Sequence, residues 1–269
     1  VAPALSDGEY VIGSINNAGT SAQLSPVFLE MEPDDKLTSL DYIENGQGAL
    51  NYFVAGRHES QAYIAELEFN TGGAVDYHEP DQNYCYGHTP GSGWSNDWDI
   101  VMDIEKYHGV NITNDLIYMT GRYESSGLFN SGLPAVSGDY DAFTGAMEVN
   151  NLADGFDFLG TGGNEYALQG GSYYRAQGNE IDYREINGHY QPIVIGNYED
   201  GITNYGLPST SAQLNTFIVY FEDFNTHMNY MYSASFEDNF VSGPNNYATG
   251  NGLIINPVEE KLYATGEFN

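Results

Sequence analysis

Carboxylates are the side chains this sequence offers most freely for chemistry, and they fall in groups: Glu30, Glu32, Asp34 and Asp35; Asp97, Asp99 and Asp103; Asp139 and Asp141; Glu237 and Asp238. A hard cation such as calcium takes about six to eight oxygens from carboxylates, carbonyls and water, and Asp-x-Asp beside a glycine is a common way to supply them. Ser137-Gly138-Asp139-Tyr140-Asp141 has that form. Asp139, Asp141, Asp97 and Asp99 are therefore the candidate metal ligands, and calcium is the one cofactor the pattern suits. The competing reading is solvated surface charge, because no complete Asp-x-Asp-x-Asp-Gly loop with a distal Glu occurs.

Carboxylates also serve glycoside hydrolysis, which needs two of them about 5 to 9 Å apart. Glu32, Glu68, Glu148 and Glu222 recur at matching places and would form a ring if they gathered at one end of a channel; equally, they can begin hairpin turns. Nothing in the sequence makes one group the acid and another the nucleophile, so no catalytic residue is assigned. The six histidines never stand at a two-ligand helical spacing, and Cys85-x-x-His88 lacks the second pair a zinc site needs. No Gly-x-Ser-x-Gly elbow, phosphate loop or dinucleotide fingerprint is present.

Aromatic residues in turn-rich insertions are the better lead to a ligand. Tyr84, Tyr86, Trp94, Trp98, Tyr173 and Tyr174 are the candidate binding residues, their rings suited to flat sugar faces beside Asn and Asp; the alternative is that they cap the sheet cores. Asn111-Ile112-Thr113 fits a glycosylation acceptor in a glycosylating host, with a place in a strand as the plainer reading.

What must position these groups follows from composition. In 269 residues there are 38 Asp plus Glu against 7 Lys plus Arg, a formal net charge of −31. Such a chain repels polyphosphate, and its scattered cations form no basic stripe, so nucleic acid and anionic membrane surfaces are excluded as partners. No apolar run reaches the roughly 20 residues of a spanning helix, and membrane insertion is not expected. The start at Val1-Ala2-Pro3 would suit a mature form after leader removal. With 23 Tyr, 13 Phe and 2 Trp the chain can nevertheless bury a core, unlike acidic disordered sequences. A lone Cys85 allows no internal disulfide. Self-repulsion of this size is relieved by salt or divalent cations, which points to a calcium-containing medium outside the cell or at its surface.

An apolar strand ending in glycine recurs at Tyr10–Gly13, Phe53–Gly56, Tyr118–Gly121, Ile193–Gly196 and Tyr263–Gly266. A second strand closing with Glu follows the first four: Val27–Glu32, Tyr63–Glu68, Phe143–Glu148 and Phe217–Glu222. A polar turn then leads to Leu40-Asp41-Tyr42, Val75-Asp76-Tyr77, Phe156-Asp157-Phe158 and Met228-Asn229-Tyr230. Alternating polarity and β-branched or aromatic strands indicate an all-β chain of small antiparallel sheets. Units of 40 to 75 residues, none able to bury its own aromatics, fit a β-propeller of four-stranded blades.

The third copy, Tyr118-Met119-Thr120-Gly121, Asp141-Ala142-Phe143 and Gly162-Gly163, resembles the bacterial SBBP-type β-propeller repeat family, and Tyr263-Ala264-Thr265-Gly266 matches its first element. The resemblance implies a secreted or surface propeller and carries over no catalytic residue. We expect one domain over 1–269 with approximate repeats 8–50, 51–108, 109–185, 186–250 and a partial 251–269. Five blades, the last small or shared between the chain ends, is the leading arrangement; four blades or a piece of a longer propeller are the alternatives, and a β-barrel ligand binder is a third class. The functional expectation is a non-catalytic extracellular structural or adhesive module that presents acidic, Tyr-rich loops to a glycan, calcium, a protein partner or copies of itself. The rival is a carbohydrate-active enzyme with carboxylates in the channel.

Overall fold

The computed structural model describes residues 9–12, 27–30, 36–44, 50–58, 61–69, 75–77, 85–87, 99–107, 115–124, 139–149, 156–158, 168–170, 175–186, 189–199, 207, 214–223, 228–235, 248–256, 258–259 and 261–268. Among them the regular structure is entirely β, in separate antiparallel sheets. Strands β1 (Glu9–Ile12) and β2 (Val27–Glu30) form a pair. The first full sheet is β3 (Lys36–Glu44), β4 (Leu50–His58), β5 (Gln61–Phe69) and β6 (Val75–Tyr77) in that order, with β7 (Cys85–Gly87) also on β5. The second is β8 (Ile100–Tyr107), β9 (Asp115–Tyr123), β10 (Asp141–Val149) and β11 (Phe156–Phe158), with β12 (Leu168–Gly170) also on β10. The third runs β13 (Ala176–Ile186), β14 (His189–Tyr198), β15 (Asn215–Asp223), β16 (Met228–Ser235), and β17 (Ala248–Asn256) pairs with β18 (Lys261–Phe268).

These sheets are offset by one strand from the sequence repeat. Four of the five glycine-ending strands are the second of their sheet, preceded by β3, β8, β13 or β17, whereas Tyr10–Ile12 lies in β1. Leu40-Asp41-Tyr42 lies in β3 and heads the sheet of β4, whereas Val75–Tyr77, Phe156–Phe158 and Met228–Tyr230 lie in closing strands. Its apolar-Asp-aromatic pattern is that of any half-buried strand, so it could not by itself report which neighbour it joins.

Close approach explains the recurring glycine. In four places the first strand carries a bulge, between Leu37 and Ser39, Val101 and Asp103, Gly178 and Glu180, and Gly250 and Gly252. Opposite the residue before each bulge stands Gly56, Gly121, Gly196 or Gly266. A Cβ at any of them would overlap a carbonyl oxygen of the bulged strand, that of Lys36, Ile100, Gln177 or Thr249. The extra residue bends the first strand over its partner, and only a residue without a side chain fits beneath.

Alternation gives each sheet two apolar faces. The near face, which from the second sheet on is turned toward the preceding sheet, carries Leu40 and Val54, then Ile104 and Met119, Ile181 and Val194, Leu253 and Ala264, each pair cross-strand neighbours. The far face carries the residues between them. Tyr118 and Ala146 from the far face of the second sheet pack with Ile181, Val194 and Val219 from the near face of the third. One step on, Ile193, Ile195 and Ile218 pack with Leu253, Ile255 and Leu262 of β17 and β18. Between the second and third sheets, and between the third sheet and β17–β18, the core therefore lies between sheets rather than inside one. Tyr118, Phe143, Tyr198 and Phe217 are at 0% exposure, the large side chains that no isolated sheet would hide.

Candidate functional site

Carboxylates converge where the first strands run beside one another. The residue after each bulge is Ser39, Asp103, Glu180 or Gly252, and two positions on come Asp41, Glu105, Asp182 or Ile254. Period-two alternation places both members of each pair on the far face, toward the next first strand.

Their contacts run in one direction. Ser39 Oγ donates to Asp103 Oδ1 at 2.7 Å and accepts from the Ile104 N–H at 3.4 Å. Asp103 Oδ2 accepts from the Ile181 N–H at 3.0 Å. Glu180 accepts from the Leu253 N–H, and Asp182 Oδ2 from the Ile255 N–H at 2.8 Å. Each first strand thus offers side-chain oxygens to the backbone of the one that follows. Thr38, the bulged residue of β3, adds a bond from its hydroxyl to the Val101 carbonyl at 2.6 Å.

Burial pushes the Asp103 carboxyl above the usual range, and the Asp41 charge adds to it, against the bonds from Ile181, Ser39 and Ile104 that favour the ionised form. Glu180 is raised by burial and by the charges of Asp103 and Asp182, and Asp182 by burial. The group repels itself, and the backbone N–H donors supply the compensation. No three His, Cys, Asp or Glu among the described residues are arranged to hold a metal ion.

The candidate ligands named from the sequence lie elsewhere. Asp99 is buried and its Oδ1 accepts from the Glu124 N–H at 2.6 Å. Asp141 is buried in β10, opposite Tyr123. Asp139 is exposed and pairs with Arg175 at 3.0 Å. These residues join strand ends in the second and third sheets and do not meet the carboxylates of the first strands. Glu68, Glu148 and Glu222 sit in third strands opposite Asp76, Asp157 and Asn229, just before the connection to the closing strand. Tyr86 lies in β7, opposite Ile64. Tyr84, Trp94, Trp98, Tyr173, Tyr174, Asp97, Asn111 and Glu32 lie outside the described residues.

Sequence reasoning named Asp103 in a cluster with Asp97 and Asp99 but missed its grouping with Glu180 and Asp182. Its signal is an acid, an apolar residue and an acid, Asp103-Ile104-Glu105 and Glu180-Ile181-Asp182, the acids placed 14 to 18 residues ahead of the recurring glycine. Ser39-Leu40-Asp41 keeps half of it. Neither a family model nor a curated protein matches the chain. The likeness to SBBP repeats rests on the short motifs alone.

Proposed function

We propose that the chain is a non-catalytic module acting outside the cell, a propeller-like stack of blades that carries acidic, Tyr-rich loops toward glycans, calcium or a protein partner. The supporting observation is how the central carboxylates are employed: Asp103, Glu180 and Asp182 each accept a backbone N–H of the following sheet. A glycosidase needs one carboxyl free to give its proton and another free to attack or to activate water. Carboxylates engaged with amides of the next sheet serve cohesion instead. The propeller reading draws on sheets of four or five strands whose first strands lie side by side, with β1–β2 and β17–β18 as partial blades. Salt or divalent cations of the surrounding medium would relieve the −31 charge.

The test combines binding and turnover on the intact protein. Retention on a glycan array, or a rise in melting temperature when calcium replaces chelator, is the expected result. Neither effect, together with hydrolysis of chromogenic glycosides that Glu180→Gln abolishes, would remove the module reading in favour of the carbohydrate-active one, which the raised Glu180 carboxyl suits as a general acid.

A further inference from the structure

One carboxylate touches three sheets. Asp103 stands half-buried in β8 of the second sheet, in the place after the bulge. Its Oδ1 accepts from the Ser39 hydroxyl of the first sheet at 2.7 Å, and its Oδ2 from the Ile181 N–H of the third at 3.0 Å. The Ile104 N–H, next along its own strand, bonds it as well and also donates to Ser39 Oγ at 3.4 Å. Asp182, by comparison, reaches one sheet beyond its own, at the Ile255 N–H.

We infer that Asp103 is a proton-operated coupler: its two oxygens tie the first and third sheets through the second, and the gain or loss of its proton sets how firmly the three are held. Such a coupler does not depend on what the loops bind.

The two protonation states bond differently. Ionised, the carboxylate accepts only, and both neighbouring sheets must donate to it. Protonated, it carries an O–H of its own, which Ser39 Oγ can accept while Oδ2 keeps the Ile181 N–H. The charged state is the costlier one. Burial pushes the carboxyl up, the Asp41 charge adds to it, and no Lys or Arg among the described residues pairs with it. Asp41 faces it from β3 and Glu180 from β13, Glu180 being raised in turn by the Asp103 charge, with Asp182 two places beyond. Glu105 follows two places on along β8, and Glu66 of β5 continues the row of Asp41 through Phe53. Arg57 of β4 and Arg122 of β9 stand toward the strand ends, opposite Lys36 and Ile100. The charge that bears on its titration is thus an acid, and losing the proton sets a like charge beside it. Closure of the three sheets favours proton uptake, so they are held most firmly below the ordinary carboxylate value and more loosely as pH rises through the raised one.

The experiment is amide hydrogen exchange on the intact chain between about pH 4 and about pH 7.5, read as protection factors so that the base catalysis of exchange itself cancels. Protection at Ile181 should fall about fivefold across that range in the parent chain. Asp103→Asn, whose amide can donate to Ser39 while its oxygen accepts from Ile181, should hold protection near the acid value. Ser39→Ala, a change in the first sheet, should lower protection at Ile181 of the third about fivefold and leave Ile255, which bonds Asp182, unchanged. Should Asp103→Asn not fold, the parent profile and Ser39→Ala decide. Protection at Ile181 that ignores pH in the parent, a dependence in Asp103→Asn as large as the parent's, or a Ser39→Ala effect absent at Ile181 or equal at Ile255 would each overturn the inference.

Discussion

The interface between the second and third full sheets and the far face of β17–β18 are built from the same positions and meet opposite surroundings. Tyr118 is wholly buried against the third sheet, while its counterpart Tyr263 is half exposed and gives its hydroxyl to Glu259 at 3.0 Å. Carboxylates stand on the far faces of the second and third sheets, where a following strand offers N–H groups to them; on β17 the same positions are Gly252 and Ile254. Asp103, Glu180 and Asp182 thus stand where a following backbone is bonded, and on β17 Ile254 takes the place of such an acid.

The largest contrast should come from truncating the two tyrosines. Tyr118→Ala should cost about 3–5 kcal/mol of unfolding free energy by chemical denaturation, because the neighbouring sheet cannot close the gap. Tyr263→Ala should leave monomer stability nearly unchanged. Equal losses would mean that the two faces are packed alike.

Next come the glycines beneath the bulges. Gly196→Ala forces a methyl group onto the Gln177 carbonyl and the Phe217 ring, both fixed by the core, and should cost about 2 kcal/mol. Gly266→Ala meets the Thr249 carbonyl in the exposed pair. Its effect should appear as faster amide exchange in β17–β18 with little change in global stability.

Acidity separates interior from surface more gently. Asp103, Glu180 and Asp182 titrate above the ordinary values of 3.8 and 4.5, so their protonation favours the folded state. That contribution is complete below those ordinary values and is lost as pH rises through the raised ones, the reverse of a salt-bridged carboxylate. Melting temperature should therefore fall as pH rises from about 4, in the range of the ordinary values, toward neutrality, and Asp182→Asn should flatten the dependence. A profile in Asp182→Asn as steep as in the parent chain would contradict it. Smallest of all, Asp139→Asn removes an ion pair whose side chains are 66% and 51% exposed, and should shift stability by no more than about 0.5 kcal/mol.

Much of the local structure was legible in the sequence. Alternation and aromatic content gave the strands, and four of the glycine-ending segments fell on second strands, while Tyr10–Ile12 of the other fell on β1. Sheet boundaries were harder to see, because the first strands differ at the positions that matter: Ser39, Asp103, Glu180 and Gly252 share a place but no chemistry. A bulge leaves no fixed residue type, Thr38, Met102, Asn179 and Asn251 occupying it in turn. Of the central carboxylates Asp103 was named only beside Asp97 and Asp99, and Glu180 and Asp182 escaped notice for the same reason. They were sought among clusters close in sequence, whereas hydrogen bonds bring together residues 64 and 78 positions apart.

The bulge and its glycine also bear on how the chain avoids tangling with itself. Strands of similar composition invite mispairing during collapse, since many partners would satisfy the same apolar alternation. Sliding β14 by a single place along β13 would drive a side chain into a peptide carbonyl and strand the glycine where nothing presses on it. The missing methyl group acts as an alignment notch, and four notches along the chain let each hairpin reject a shifted partner before its neighbours arrive.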